Sequence, residues 1–330
     1  MDNKKELLLL QYETACPQFS HCFTRSCMHQ SISIQRNSIR AWVLAARPKT
    51  LSGAAMPVCV ALTLAYTTQS RLHLLPALLC LLFALAMQVL ANFVNDYFDF
   101  RDGTDNEERL GPLRACAQGW VSPNAMRMAM ALTTFVAVII GMPLVIYGGW
   151  PMVGVGAVCL LLCFFYTLGG ARHALGDVLV LLGFGIIPVC ITYYLQLGNI
   201  SLLCLLLSVS CGLVVDTLLV VNNYRDYPTD SACGKCTLVV MIGRRKSELL
   251  YLALGIIGWF LLSVGCLLSG LLFTIMFPLI YVWLHVRTYQ NMCRIGSGRS
   301  LNHILGVNSR NMLIYGLTVI AGLLTDNVIT

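Results

Sequence analysis

The residues able to do chemistry are gathered in two short stretches. Asn92, Asn95, Asp96 and Asp99 stand at i, i+3, i+4 and i+7, and Asp102 and Asp105 follow closely. Four of the chain's 15 acidic residues, Asp96, Asp99, Asp102 and Asp105, therefore fall within a single segment. Much later, 127 positions on, Asn95-Asp96-Tyr97-Phe98-Asp99 is echoed by Asn222-Asn223-Tyr224-Arg225-Asp226, with Asp230 one helical turn beyond. On a helix each set lines one face. Two acidic stripes facing each other repel unless something positive lies between them. Hard oxygen donors select Mg²⁺ or Ca²⁺, and Mg²⁺ commonly bridges a few carboxylates to a phosphate. The neighbouring Arg109, Arg114, Arg225 and Lys235 are out of place around a bare cation, but they suit an anionic phosphate that arrives with it.

The elements that must hold these residues are set by the composition. A chain that is 57% hydrophobic and 11% charged has too few charges to solvate a globular surface, so it is expected to be an all-α integral membrane protein. Apolar runs near 42–68, 74–94, 126–147, 151–168, 177–197, 200–221, 248–269, 271–287 and 311–328 predict about nine transmembrane helices. They lack the alternation that a membrane barrel requires. With nine spans, 21 of the 22 Lys and Arg residues sort to one side and only Arg71 lies opposite. The positive-inside rule then puts the N-terminus and both acidic motifs in the cytoplasm. The net charge of +7 follows from that sorting and calls for membrane lipids and an anionic substrate, not a nucleic acid.

Residues 1–40 are polar and read as a poorly ordered extension, ahead of a single transmembrane domain over 41–330. The sequence from Met28 runs more naturally into the first helix, so an upstream start or a presequence is the expected origin of the extension. Arg47 and Lys49 flank Pro48, which suggests an interfacial lead-in turning into the membrane. On position alone the two basic residues are headgroup anchors. The second span ends in the first acidic stripe, Gly103 allows a turn, and Asp105 can fold back towards it. The loop 106–125, with Arg109 and Arg114, is long for a membrane connection and reads as a binding loop. Asp216 lies inside the sixth span, where a carboxylate points to a polar interior unless a neighbouring hydroxyl or amide satisfies it. Most of the 15 cysteines fall in spans and act as small hydrophobes. Cys233-Gly234-Lys235-Cys236 has no second pair nearby to complete a zinc site. Four spans separate the two motifs, so both halves enter the membrane in the same direction. This predicts a parallel repeat of four plus four helices with one extra, around a central cavity.

A phosphate-bearing substrate bound within a membrane should be apolar elsewhere, and a lipid diphosphate meets that requirement. Ionising it needs metal-assisted departure of diphosphate, with aromatic faces such as Tyr97, Phe98, Tyr166, Tyr193 and Tyr194 available to stabilise the cation. At this point the residues become recognisable. Asn95-Asp96-x-x-Asp99 with Asp105, and Asp226-x-x-x-Asp230, resemble the paired aspartate-rich motifs of the UbiA superfamily of intramembrane prenyltransferases. The resemblance covers about residues 40–329. With Arg109-Leu110-Gly111-Pro112, Arg114 and Gly234-Lys235-Cys236-Thr237, it is most similar to the branch that prenylates 1,4-dihydroxy-2-naphthoate for menaquinone.

The resemblance implies a UbiA-like bundle in a bacterial inner membrane and transfer of a polyprenyl group from polyprenyl diphosphate to the aromatic acid, with loss of carbon dioxide. It implies Mg²⁺ as cofactor, held by Asn95, Asp99, Asp226 and Asp230 with help from Asp96 and Asp105, and it gives Asp99, Asp226 and Asp230 the catalytic roles. Arg47, Lys49, Asn92, Arg109, Arg114, Tyr166, Asn223 and Lys235 are the candidate substrate-binding residues. The connection after Tyr166, Gly169-Gly170-Ala171-Arg172, is shorter than that branch usually shows, which leaves 4-hydroxybenzoate or a similar acceptor as the alternative. A transporter or cation channel also explains a parallel repeat with intramembrane Asp, but it gives the basic loops less to do.

Overall fold

A lead-in helix ahead of the first span, and two spans much longer than a bilayer needs, decide where the acidic residues end up. The computed structural model describes residues 34–103, 110–170 and 173–329, all but the first two of which belong to the unit Arg36–Thr330. Residues 1–33 of the expected extension lie outside the described residues, as do Asp105 and Arg109, while its last two residues, Ile39 and Arg40, already open the first helix.

Helix α1, Ile39–Ala46, starts at Ser38, whose hydroxyl accepts from the Ala41 amide at 3.3 Å and so satisfies one of the orphan donors of the first turn. It buries Ala41 and Ala45 and sets Trp42 edge-on against Phe93 with centroids 5.8 Å apart. The chain breaks at Arg47, whose φ of 51° is left-handed, and restarts with Pro48 at the head of α2, Pro48–Gln69. Proline suits that position because its missing N–H would have no partner there. The apolar run predicted from 42 is thus two helices, broken where Pro48 suggested.

Eight further long helices follow: α3 (Leu74–Arg101), α4 (Pro123–Gly148), α5 (Pro151–Leu168), α6 (Gly176–Leu197), α7 (Leu202–Ala232), α9 (Arg244–Leu268), α10 (Leu272–Ile295) and α11 (Leu301–Ile329). A short α8, Leu238–Ile242, is capped by the Thr237 hydroxyl. With α2 they make nine helices among the described residues long and apolar enough to cross a membrane, and the chain is an integral membrane protein. At 1.5 Å per residue, α3 with 28 residues and α7 with 31 are about 42 and 46 Å long, against a hydrocarbon core of roughly 30 Å. Their C-terminal turns, which carry the two motifs, therefore continue the helix past the apolar stretch as uninterrupted scaffolds. The predicted ends at 94 and 221 mark only the apolar part.

Helix α7 lies at the centre: 72% of its most apolar stretch is buried, more than in any other span. Close approach to α6 needs glycine at two facing positions, since a Cβ on Gly185 would lie 2.5 Å from the Ser208 carbonyl oxygen and 2.7 Å from the Gly212 Cα. Buried amides tie α7 to its other neighbours. Asn308 on α11 accepts from the Tyr251 hydroxyl of α9 at 2.9 Å and donates to Thr217 of α7 at 2.9 Å. Such interhelical bonds each contribute roughly 0.6 kcal/mol in a membrane. Helix α11 starts ten residues before the predicted 311. Residues 302–311 are polar and escape a hydropathy reading, yet Asn308 and Asn311 are buried between helices.

Candidate active site

The first motif is held by parts of the chain remote from it. Asp96 is buried, and its two carboxylate oxygens accept the backbone N–H groups of Ala115 and Cys116 at 2.9 and 2.8 Å. The Arg47 guanidinium lies 3.9 Å away. This carboxylate therefore pins the loop that follows α3 back onto the helix. Asp99, one turn on, accepts from Arg114 Nη2 at 2.8 Å, and Arg114 is itself buried. Asn95 accepts a short hydrogen bond from the Thr167 hydroxyl at the end of α5. Asn92, expected at the substrate, donates to the Ala46 carbonyl at 2.8 Å and to Thr50 Oγ1 at 2.9 Å. It thus satisfies the backbone at the α1–α2 break. The far end of the loop is closed by Asn37, whose amide donates to the Trp120 carbonyl at 2.7 Å and whose side chain accepts from the Ser122 amide at 3.1 Å.

The second motif is largely self-contained. The Arg225 guanidinium, 1% exposed, grips both oxygens of Asp226 through Nε at 2.8 Å and Nη2 at 2.6 Å, and it also donates to Asn222 at 2.8 Å. This two-pronged pairing is the strong, geometrically selective form of the Arg–carboxylate contact. Asp230 pairs with Lys235 at 3.3 Å, while its other oxygen is buried with no hydrogen-bond partner. Tyr224 points the other way: its hydroxyl donates to Glu248 at 2.5 Å, and the Arg244 guanidinium stacks 4.8 Å above its ring. Asn223 is buried, and Lys49 is exposed.

The two motifs are joined through Asn302. Its side-chain carbonyl accepts from Arg225 Nη1 at 2.9 Å, and its amide donates to the backbone carbonyl of Leu110 at 2.8 Å. The first turn of α11 thereby bridges the second motif to the loop that follows the first. Nothing in the sequence flagged Asn302, because it lies in the polar lead-in that hydropathy left outside a helix. Tyr166, near the C-terminal end of α5, lies in the neighbourhood of Asp99, Arg114, Asp177 and Asp216. Asp216 is 3% exposed, and one of its oxygens has no hydrogen-bond partner. It is therefore not fully satisfied by a neighbouring hydroxyl or amide. Asp177, at the head of α6, also buries an unpartnered oxygen and was not anticipated.

No group of three or more His, Cys, Asp or Glu side chains among the described residues converges closely enough to hold a metal by itself. The donor chemistry nevertheless suits a hard cation that is shared with a phosphate. The donors are oxygens from Asn95, Asp99, Asp226 and Asp230, one of them buried without a partner, and Mg²⁺ typically takes only one or two carboxylates beside substrate phosphates. All four already meet a hydroxyl or a cation: Thr167 at Asn95, Arg114 at Asp99, Arg225 at Asp226 and Lys235 at Asp230.

Comparison with known proteins places the chain in a family. The model of the UbiA prenyltransferase family matches residues 54–295. The chain is 33% identical over 220 residues to a protein named 1,4-dihydroxy-2-naphthoate octaprenyltransferase from Haemophilus influenzae, covering 64% of this chain and 71% of that one. It is 34% identical over 218 residues to the protein of the same name from Escherichia coli, covering 63% and 70%. Among solved structures, a UbiA homolog from Archaeoglobus fulgidus bound to DMAPP and Mg²⁺ superposes with a TM-score of 0.59 at 14% identity, covering 85% of this chain and 99% of that one. With two helix-borne acidic motifs at equivalent ends of α3 and α7, and a family match across most of the membrane domain, this chain belongs to the UbiA prenyltransferase family.

Proposed function

We propose that the protein transfers a polyprenyl group from polyprenyl diphosphate to 1,4-dihydroxy-2-naphthoate, with loss of carbon dioxide, as a step of menaquinone synthesis. The observation that carries this reading is the Arg225–Asn302–Leu110 link, which couples two motifs of oxygen donors that are each matched to basic groups. Support for the acceptor comes from the names of the relatives above. A prenyltransferase for another aromatic acid, such as 4-hydroxybenzoate, is the second reading, favoured by the short connection after Tyr166.

Asn95, Asp99, Asp226 and Asp230 would hold Mg²⁺, which supplies charge neutralisation to the departing diphosphate. Arg114 and Lys235 exchange their carboxylate partners for phosphate oxygens, so the site binds the lipid diphosphate without burying unpaired charge. Arg225 stays with Asp226 and holds it in one orientation. Tyr166 presents its ring to the C1 end of the chain, where an allylic cation gains from an aromatic face. The C1–O bond breaks, a ring carbon of the acceptor bonds to C1, and its carboxylate leaves as carbon dioxide. Arg47, Lys49, Arg109 and Asn223 remain candidates for contacts to the diphosphate or the aromatic acid, and Asp105 for the metal.

Two assignments differ from the expectation drawn from the motif alone. Asp96 and Asn92 are read as positioning residues, because their polar atoms are spent on the loop and on the helix break. By charge sorting the site faces the cytoplasm, in a bacterial inner membrane. The test is purified protein in detergent with Mg²⁺, a polyprenyl diphosphate and a panel of aromatic acceptors. A prenylated, decarboxylated naphthoate product is expected. Prenylation of a different acceptor alone would move the protein to the second reading, and transport in sealed vesicles with no product in detergent would overturn both.

A further inference from the structure

The turn after the second motif carries a feature that prenyl transfer does not use. Helix α7 ends in a Schellman arrangement: the Gly234 amide donates to the Ser231 carbonyl at 3.3 Å and the Lys235 amide to the Asp230 carbonyl at 2.9 Å, with Gly234 at φ +70°. That geometry brings the Lys235 ammonium back to Asp230. On either side of Lys235 stand Cys233 and Cys236, both exposed. Among the described residues the other ten cysteines are buried or half-buried, so the two freely accessible thiols are these neighbours. Cys236 turns its sulfur towards the Gly234 carbonyl at 3.9 Å. The two cysteines stand at the C-x-x-C spacing of thiol–disulfide pairs, with the left-handed Gly234 between them. The backbone of Cys236 also pairs with His173 in an isolated parallel bridge, and His173 is anchored by its Nδ1 at 2.8 Å from the Gly169 carbonyl. Lys235 is thus held between two thiols whose joining would change the turn.

A pair of surface cysteines could be incidental, and the two with His173 do not form a metal centre. Against the incidental reading stands their placement around Lys235, the basic residue paired with Asp230. We propose that Cys233 and Cys236 are a modification site: they form a reversible disulfide by exchange with a small-molecule disulfide, and its closure withdraws Lys235 from Asp230. One cysteine thiolate attacks a sulfur of the reagent and expels one thiolate. The second cysteine then attacks the mixed disulfide and expels the other. The cysteine pair loses two electrons and two protons, and the reagent becomes two thiols. The peptide units of Gly234 and Lys235 lie inside the ring so formed. Closing it strains the Lys235 N–H bond to Asp230 and the Cys236 pairing with His173. The consequence for turnover rests on the function proposed above; the chemistry of the turn does not.

The test uses the full chain in detergent, treated with oxidised glutathione. Peptide mass spectrometry should find an intramolecular Cys233–Cys236 link, and acetylation of Lys235 by an amine-reactive ester should rise about threefold as its ion pair is lost. The KM for polyprenyl diphosphate should rise roughly tenfold, as expected for losing one charge-assisted contact. Dithiothreitol should reverse all three changes, and Cys233→Ser and Cys236→Ser should show none of them. Glutathione adducts without the internal link, or a link that leaves Lys235 acetylation unchanged, would overturn the proposal. If no prenyl diphosphate is turned over, the mass and acetylation readouts still decide it, and the failure falls on the proposed function alone.

Discussion

The two acidic motifs look alike as sequence and are built in opposite ways. In the first, most contacts reach outside the helix that carries it: Asp96 to the backbone at 115 and 116, Asp99 to Arg114, Asn95 to Thr167 and Asn92 to the α1–α2 break, with Asn92 also accepting from Gln88 one turn back. In the second, Arg225 and Lys235, one and five residues from their carboxylates, do most of the work, and one distant residue, Asn302, joins in. A site made of a loop strapped onto a helix can move with its loop. One made from neighbours on a single helix keeps its shape. The comparison suggests that the half carrying Asp99 rearranges as substrate enters, and that the half carrying Asp226 is the fixed reference.

The sharpest way to break this comparison is to neutralise one carboxylate in each half. Asp99→Asn and Asp226→Asn should each lower the rate of prenyl transfer by about 10³-fold or more, since several kcal/mol of transition-state charge stabilisation are lost. Wild-type rates in either variant would sink the metal assignment. Thermal unfolding should separate the two. Each leaves a buried guanidinium facing a neutral amide; Asp226→Asn also loses one prong of the two-pronged bond from Arg225 and should cost about 3 kcal/mol, whereas Asp99→Asn keeps an oxygen for Arg114 Nη2 and should cost about 1 kcal/mol.

Asp96→Ala comes next. It strands the amides of Ala115 and Cys116, and a buried donor without a partner costs about 1–3 kcal/mol. Limited proteolysis should then cut the loop between α3 and α4 faster while the α7 turn stays protected. Equal protection of the loop would remove the strap from the account. Asn302→Ala severs the bridge between the halves and should raise the KM for polyprenyl diphosphate about fivefold, with about 1 kcal/mol lost in stability. An unchanged KM would mean that the two motifs act independently. Smallest of all, Lys49→Gln, at an exposed residue outside both motifs, should change KM by less than about twofold. A larger effect would bring Lys49 into the substrate site.

The spans were legible because a bilayer rewards uninterrupted apolar runs and nothing else about the packing is needed to see them. The motifs were legible because acid is rare in such a chain and both stripes repeat with helical spacing. Asn302 was hidden for the same physical reason: a helix entry made of polar residues looks like a loop until its burial against other helices is seen. Asp177 and Asp216 show the intermediate case. Asp216 stood out as an acid within an apolar run, but its relation to Asp177 and Tyr166 needed the helices packed.

Taken by itself, the sequence determined that this is a membrane protein of about nine spans with two acid- and amide-rich motifs at equivalent ends of the second and the sixth. Hydropathy and residue spacing are local quantities, and both are written directly in the chain. Only the tertiary structure decided which of these oxygens meet the backbone and which meet a basic side chain. Asp96 and Asp99 are indistinguishable as residues three apart on one helix face. One accepts from two backbone amides, and the other accepts from a guanidinium. That difference depends on where a loop some twenty residues further along comes to rest, which is set by packing and hydrogen bonding across the chain.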